Sequence, residues 1–181
     1  MAALTRWQEL DLLRAHYPTF DIFLYDVMTD LLGFNCSDIQ EDIAEYLETG
    51  PKNRMIQAQR GQAKTTIAAA YVVWRAIHDP TVRTLIISAG GDMAAEIANW
   101  IIQIVMGMDV LACMRPDRSA GDRVSVKAFD FHHELKGPEK SPSIACMGIT
   151  SNMQGKRADI LIADDIESAK NSQTEHQRER I

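Results

Sequence analysis

Eight consecutive residues combine a lysine, two threonines and a glycine in an order suited to binding phosphate. They are Gln59, Arg60, Gly61, Gln62, Ala63, Lys64, Thr65 and Thr66. The surrounding sequence predicts a short strand at 54–58 and a helix from about Lys64 to His78. Backbone N–H groups at a helix start attract anions, a lysine there reaches the terminal phosphates, and a threonine hydroxyl ligates a divalent metal ion. The stretch therefore predicts a phosphate loop in which Thr65 contacts the metal.

The predicted loop departs from the usual pattern G-x-x-x-x-G-K-[ST], because both glycine positions carry alanine, at Ala58 and Ala63. Alanine resists positive φ, so either the loop keeps φ negative at Ala63 or the loop is damaged. The competing interpretation is an ordinary helix N-terminus with a solvated lysine. The loop sequence alone leaves both interpretations open.

A second stretch runs from four apolar residues, 160–163, directly into Asp164 and Asp165, with Glu167 two positions further on. A carboxylate at the exit of a buried strand, beside a phosphate loop, holds Mg²⁺ directly or through water, and Asp164 is the best candidate. Asp165, with Glu167 as the alternative, is the candidate to orient and deprotonate an attacking water. The plainer interpretation is that these acids only solvate the strand end. The phosphate loop upstream favours the catalytic one.

The elements that must position these residues follow from hydrophobic periodicity and turn signals. Helices are predicted at 3–31 (broken at Tyr17-Pro18), from a capping box at Ser37, from Lys64 and from Asp92 to Met106; strands are predicted at 54–58, 83–88, 124–126, 129–131, 143–147 and 160–163. The alternation of strands and helices indicates an α/β fold with a mostly parallel sheet. The apolar runs 85–87 and 160–163 are typical of central parallel strands.

Composition places limits on the class of protein. The chain has 181 residues, 46% of them hydrophobic, which is enough for one globular domain with a core. It has no apolar run long enough for a membrane span and no signal-peptide pattern, so we expect no membrane association. A net charge of −6 argues against a protein that coats DNA, and any DNA contact must use a local basic patch.

Two weaker features concern metal and DNA. The adjacent histidines His132 and His133 invite a metal interpretation, but neighbouring strand residues point to opposite faces, so we expect no shared metal. A loosely basic stretch contains Arg115, Arg118, Arg123 and Lys127. Such a stretch can meet DNA phosphates or a neighbouring subunit, and a solvated loop is the simpler interpretation.

Several blocks together resemble the large terminase subunit of short-tailed, podovirus-type phages. They are 54–66, 72–74, 79–80, 85–89, 148–150 and, above all, 155–167, and their order holds from about Ile39 to Ser172. The resemblance implies a P-loop NTPase of the additional-strand type, with a mostly parallel sheet flanked by helices. It also implies hydrolysis of ATP with Mg²⁺ to drive double-stranded DNA into a procapsid, in the cytoplasm of the infected bacterial host. The implied partners are the portal, the small terminase subunit and other copies in a ring, usually pentameric on the portal.

The resemblance also assigns roles to individual residues. The adenine-side glutamine of the family falls on Gln40, although this residue equally fits the third helical position of the capping box. The loop arginine falls on Arg60, which would contact or sense the γ-phosphate, or would simply be solvated. An arginine finger donated to a neighbouring subunit falls on Arg157, with Lys156 as second choice. An arginine paired with Asp159 or bound to DNA is an equal alternative for Arg157.

The domain expectation is a helical N-terminal segment at 1–36 that packs on a P-loop ATPase core at 37–181. The sequence stops 181 − 164 = 17 residues after Asp164, so it resembles a truncated core without the family's C-terminal nuclease domain. We therefore expect no nuclease activity from it. Two alternatives to a motor ATPase stay open: a nucleotide-binding, non-catalytic assembly module or truncated ATPase fragment, and a helicase-type ATPase.

Overall fold

A computed structural model describes residues 3–138, 140–149, 151 and 157–166. The chain divides into two compact units. The first contains 1–80 and 100–115, and the second contains 81–99 and 116–181. Glu167 and Lys156, two of the predicted site residues, lie outside the described residues.

The first unit is helical. Its helices are α1 (Arg6–His16), α2 (Phe20–Asp26) followed by a π-turn at Val27–Leu31, α3 (Asp38–Thr49) and α4 (Lys64–His78). The predicted break at Tyr17-Pro18 is confirmed. The capping box of α3 is also confirmed, since the Ser37 side chain and the Gln40 side chain bond each other's backbone N–H groups.

Helix α4 is the element that would position the phosphate loop, and aromatic packing holds it in place. The Trp74 indole N–H donates to the carbonyl of Tyr17 at 3.1 Å, and a His78 ring nitrogen lies 3.0 Å from the same oxygen. Phe20 packs edge-on against Tyr71 with ring centroids 5.3 Å apart. The Tyr17 carbonyl, which has no helical partner where α1 ends, is thus satisfied by α4, and these bonds anchor α4 in the first unit.

The strand predicted at 54–58 is wrong. These residues have no regular secondary structure, and the Met55 side chain is 85% exposed. A strand needs a neighbouring strand to satisfy its backbone N–H and C=O groups. Within the described residues no strand pairs with 54–58, so local β-propensity alone does not produce one.

The second unit contains a five-stranded sheet in the order β2-β3-β4-β1-β5. Its strands are β1 (Thr84–Ser88), β2 (Val124–Ser125), β3 (Ala128–Phe129), β4 (Ile144–Gly148) and β5 (Ile160–Ala163). Strand β1 pairs in parallel with both β4 and β5, while β2 and β3 form an antiparallel hairpin that continues onto β4. The mixed α/β class is therefore confirmed.

The two predicted central strands differ in their position. All five residues of β1 are buried between two parallel neighbours, as expected. Strand β5 instead lies at the edge of the described sheet, and Leu161 on one face is 62% exposed. The central position predicted for 160–163 is therefore wrong within the described residues. An apolar run indicates a strand that can be buried, but it does not supply the neighbour that buries it.

The remaining helices join these elements. Helix α5 (Gly91–Gly107) begins one residue before the predicted cap Asp92, and 3₁₀ turns follow at Asp109–Met114 and Arg118–Ala120. Within the described residues no single helix is both long and apolar enough to span a membrane, although a bent pair at 94–107 and 109–120 reaches the length together.

Candidate functional site

In the predicted phosphate loop, two residues with positive φ turn the backbone. Gly61 has φ +90°, and Ala63, which precedes the first residue of α4, has φ 53° and ψ 29°. Left-handed backbone costs an L-residue about 1–2 kcal/mol. The possibility that the loop keeps φ negative at Ala63 is therefore wrong: the loop takes the left-handed turn at this position with alanine instead of glycine.

Lys64 closes the loop from its C-terminal side. It is the first residue of α4, and its Nζ donates to the carbonyl of Ala58 at 2.6 Å and to that of Gln59 at 3.1 Å. The ammonium group thus lies over the start of the loop rather than extended into solvent. The plain interpretation, a solvated lysine at an ordinary helix N-terminus, does not describe this side chain.

The threonines that follow Lys64 differ in exposure. Thr65 is half-buried at the first turn of α4, whereas Thr66 is only 6% exposed. Thr65 is therefore the more accessible of the two residues, and its predicted contact with a metal ion stays a prediction. Arg60 and Gln59 are exposed on the outer part of the loop.

Gln40 lies next to the phosphate loop. Its Oε1 accepts the backbone N–H of Ser37 at 3.0 Å, and its Nε2 lies 3.5 Å from the carbonyl oxygen of Gln62, the long limit for a hydrogen bond. The side chain is 7% exposed. The capping role is therefore confirmed, and the same amide also reaches the loop. The predicted contact with adenine stays a prediction.

The acidic strand end lies in the second unit, at the carboxyl end of β5. Asp164 is half-buried, and its N–H donates to Ile87 O at 2.9 Å, which extends the parallel pairing one residue beyond the strand. Asp165 is exposed and has φ 42°, and its carbonyl accepts the Ala89 N–H at 3.1 Å. The regular strand thus ends at the two carboxylates, although the Asp165 carbonyl still bonds the chain after β1.

Each unit contains oxygen donors of the kind that Mg²⁺ prefers. The second unit has the carboxylates of Asp164 and Asp165 at the strand end, and the first unit has the Thr65 hydroxyl at the loop. The predicted magnesium site stays a prediction. Within the second unit, β1 also ends in Ser88, whose hydroxyl is fully buried and has no hydrogen-bond partner among the described residues. The sequence did not single out this hydroxyl as a candidate site group, because a serine at the end of a strand carries no other signal of function.

Arg157 lies three residues before β5, at the opposite end of this strand from Asp164. Its side chain is exposed, and Asp159 instead binds Arg83, with 2.9 Å between the Arg83 backbone N and Oδ2 and 3.2 Å between Nε and Oδ2. These bonds from the Arg83 backbone and side chain lower the pKa of Asp159. The alternative in which Arg157 pairs with Asp159 is therefore not observed.

The adjacent histidines do not point to opposite faces, and that expectation is wrong. The rings of His132 and His133 stack with centroids 4.3 Å apart, because this segment lies in a turn beyond β3 rather than in a strand. Their donor atoms and an Asp122 oxygen all lie within 4.8 Å of one another. The Asp122 Oδ2 atom nevertheless accepts the His133 N–H at 3.1 Å, and His132 Nδ1 lies 3.2 Å from the Glu134 N–H.

These contacts give the histidine cluster a role in holding the turn. Burial raises the pKa of the Asp122 carboxyl, but hydrogen bonds from the Asp117 N–H, the His133 N–H and the His133 ring outweigh it and leave the pKa below its usual range. Asp122 is therefore an ionised acceptor that ties two loop segments together. A metal would have to displace these bonds.

Comparison with known proteins gives one informative relative. The chain is 39% identical over 143 residues to the terminase large subunit of Enterobacteria phage T3, and the match covers 78% of this chain. The chain belongs to the family of large terminase subunits. A comparison with protein-family models finds no match. The resemblance to the terminase of short-tailed phages is thus confirmed.

The terminase match covers only part of the relative. The aligned region is 24% of the length of the T3 protein. The activity, substrates and partners of a whole terminase therefore extend to this chain only as proposals.

Proposed function

We propose that this terminase chain is an ATP-hydrolysing motor segment that helps drive double-stranded DNA into a procapsid. The observation that carries the proposal is the position of Lys64, whose ammonium lies over a loop with two left-handed residues at the start of a 15-residue helix. A fixed cation and the positive end of a helix dipole together favour a polyphosphate.

The phosphate loop would bind the nucleotide. The Lys64 ammonium would exchange the carbonyls of Ala58 and Gln59 for oxygens of the β- and γ-phosphates. The exposed Arg60 would contact or sense the γ-phosphate, and Gln40 would contact the adenine from beside the loop. All three side chains belong to the first unit.

The acidic strand end would supply the metal ligand and the base. Asp164 would hold Mg²⁺ together with the Thr65 hydroxyl, and the ion would neutralise charge that develops on the transferred phosphoryl group. Asp165, or alternatively Glu167, would orient the attacking water and accept its proton. The exposed position of Asp165 directly after Asp164 supports this division of roles.

The arginine finger would come from another subunit. Arg157 lies at the amino end of β5, and a four-residue strand separates it from Asp164 at the carboxyl end. At about 3.3 Å per residue the two residues are roughly 20 Å apart along the chain, so Arg157 is poorly placed for its own Asp164 and is available to a neighbour. Lys156 is the second choice.

The larger setting follows from the family. The proposed fold is the additional-strand P-loop NTPase, and the parallel arrangement of β4, β1 and β5 supports it. The proposed partners are double-stranded DNA, the portal, the small terminase subunit and other copies in a ring, pentameric on the portal. The proposed place of action is the cytoplasm of the infected bacterial host.

A second candidate is a nucleotide-binding assembly module that does not hydrolyse ATP. It is favoured by the missing strand at 54–58 and by alanine in the left-handed position 63. A loop without a strand behind it has fewer contacts to hold the phosphates in one position, and catalysis depends on that positioning more than binding does. The two candidates differ in turnover and not in nucleotide affinity.

Mixing two inactive variants tests the motor proposal and the finger together. Arg157→Ala keeps its loop but donates no finger, whereas Lys64→Ala donates a finger but has a defective loop. Loss of a finger costs about 10³–10⁵ in turnover, so each variant alone should be nearly inactive. Random 1:1 mixing in a ring places a donor beside about half of the subunits that have an intact loop, which is about a quarter of all sites, so turnover should return to about a quarter of the wild-type value.

Arg118→Ala is the matched control, since Arg118 is an exposed arginine outside both site regions. It should retain wild-type turnover. A mixture as inactive as its components would contradict a finger supplied between subunits, and an Arg157→Ala variant with full turnover would remove Arg157 from the site.

A further inference from the structure

Charged residues lie at both ends of the parallel strands. Asp164 and Asp165 follow the carboxyl end of β5, and Asp159, which pairs with Arg83, directly precedes its amino end. Basic residues precede the amino ends: Arg83 comes directly before β1, and Arg157 comes three residues before β5. Because the strands are parallel, Arg83 and Arg157 lie at the same end of the strands, opposite the end that carries Asp164 and Asp165.

A cavity of about 440 Å³ opens among these basic residues. Its cationic lining consists of Arg83, Arg123, Lys127, Lys140 and Arg157, and we call it the basic pocket. No Asp or Glu is among the described residues that line it. In a chain whose net charge is −6, this local excess of positive charge is a marked departure from the average surface.

Two of the five cations are balanced by carboxylates behind them. Arg83 Nε lies 3.2 Å from Asp159 Oδ2, and Arg123 Nε lies 3.8 Å from an oxygen of the buried Asp130. The other three are Lys127, Lys140 and Arg157, all exposed. In the part of the chain that the structure describes, none of these three has an ion-pair partner, so the pocket has an excess of three positive charges.

The floor of the basic pocket is apolar and uncharged. It includes Leu85, Ala145, Cys146 and Met147 from β1 and β4. Burial raises the pKa of the Cys146 thiol to about 12, so the thiol is neutral at physiological pH. Cations around an apolar floor suit a ligand that alternates phosphates with apolar sugar faces.

The pocket is separate from the proposed ATP site. Its cations Arg83 and Arg157 precede the amino ends of β1 and β5, whereas Asp164 follows the carboxyl end of β5; on β4 the lining extends to Met147. Strands of four to five residues separate the two ends by roughly 13–17 Å. A phosphate held by Arg83 or Arg157 at the amino ends is therefore distant from a metal held by Asp164 of the same chain.

We propose that the basic pocket binds backbone phosphates of double-stranded DNA, a proposal that rests on the proposed packaging function and adds the surface that contacts the DNA. Four of the five cations are exposed and Arg83 is partly buried, and these long side chains surround an open cavity, which suits a continuous polyanion. The five charged lining side chains are hydrogen-bond donors only. They attract the phosphate groups, whose charge does not depend on the identity of the bases. Binding should therefore be insensitive to DNA sequence and strongly dependent on salt.

Fluorescence anisotropy with a labelled DNA duplex, in buffer without nucleotide, tests the proposal on the whole chain. The variant combines Lys127→Gln with Lys140→Gln, which removes two cations from the pocket and leaves Arg157 in place. Each phosphate contact contributes about 0.9 to the slope of log affinity against log salt, so the slope should fall by about 2. The same relation predicts a roughly 10- to 60-fold lower affinity near 0.1 M salt.

The matched control combines Lys52→Gln with Arg118→Gln, which removes two exposed cations that do not line the pocket. This control should lose less than about threefold in affinity if contacts inside the pocket are responsible. Equal losses in both double variants would overturn the proposal, since they would report only net charge. Unchanged DNA affinity in the pocket variant would overturn it as well.

Two further measurements separate this proposal from other phosphate sources and from the proposed function. If the pocket variant loses binding of a fluorescent ATP analogue but keeps DNA binding, the pocket takes a nucleotide and the DNA proposal fails. If wild-type DNA binding depends on the pocket but the chain has no ATP turnover, the pocket proposal holds and the proposed function fails. If turnover depends on Lys64 but DNA binding does not depend on the pocket, the proposed function holds and the pocket proposal fails.

Discussion

The phosphate loop is held by its near neighbours in sequence, whereas the acidic strand end is held by residues far away in the chain. Lys64 Nζ bonds carbonyls six and five residues earlier, and the loop turns on Gly61 and Ala63 themselves. Asp164 instead continues the pairing of β5 with Ile87 of β1, and β5 is secured at its start by Asp159 and Arg83, 76 residues apart.

Because of this difference, the two halves of the proposed site should respond to substitutions at different positions. A local loop changes with its own side chains, so single substitutions within it alter both its shape and its affinity. A strand end changes with the sheet, so residues at the far end of the strand influence it. Substitutions at the two regions should therefore separate effects on chemistry from effects on stability.

The largest effect is expected at the strand end itself. Asp164→Asn keeps the size of the side chain but removes the charge that would bind Mg²⁺, so turnover should fall by more than about 100-fold. Nucleotide binding in the absence of Mg²⁺ should be unchanged, because Lys64 and the loop are intact. Phosphate release and binding of a fluorescent ATP analogue measure the two quantities. Turnover within about threefold of wild type would remove Asp164 from the metal site.

Asp165 distinguishes conformation from chemistry. Because its φ is 42°, Asp165→Val should lower the free energy of unfolding by about 1–2 kcal/mol, whereas Asp165→Asn should change it by less than about 0.5 kcal/mol. If Asp165 is the base, both variants lose about 100-fold or more in turnover. Urea denaturation and phosphate release measure the two effects. A fully active Asp165→Asn variant would assign the base to Glu167.

Ala63 provides the corresponding test in the loop. Ala63→Gly removes the penalty of a left-handed alanine and should raise the free energy of unfolding by about 0.5–1 kcal/mol. Ala68→Gly is the matched control, because the same substitution inside α4 should lower it by about 1 kcal/mol. Thermal unfolding of both variants measures the difference. A destabilised Ala63→Gly would show that alanine is favoured at this turn for a reason other than φ.

The smallest effect is expected at Asp159, which secures the start of β5. Its pKa is lowered in the folded protein, so it stabilises the fold above its unfolded pKa and loses this contribution as the pH falls through the folded pKa. The side chain is 48% exposed, so the contribution should be less than about 1 kcal/mol. Urea denaturation of wild type and Asp159→Asn should differ at pH 7 and converge in acid. A difference that persists at low pH would contradict the linkage.

The features that sequence predicted correctly are those that depend on local signals. The break at Tyr17-Pro18, the capping box at Ser37 and the start of α4 at Lys64 each follow from a few adjacent residues. Strands β1 and β5 were also located, because their apolar runs are continuous and bounded by polar residues. The candidate site residues were chosen from the same kind of local signal, and their roles stay predictions.

The features that sequence did not predict depend on partners. Residues 54–58 have strand propensity but no described neighbour to pair with, and β5 lies at the sheet edge for lack of one on its outer side. The positive φ of Ala63 overrides the preference of alanine, and the stacking of His132 on His133 results from a turn where alternation suggested a strand. The basic pocket depends on the parallel alignment of three strand starts, which no single segment encodes.

The most direct test of the proposed function is phosphate release from ATP with Mg²⁺, measured at high protein concentration for wild type, Lys64→Ala and the control Lys52→Ala. We predict turnover in wild type and in the control, and a loss of more than about 100-fold in Lys64→Ala. Turnover that survives in Lys64→Ala, or that is absent from all three proteins, would contradict an ATPase built on this phosphate loop.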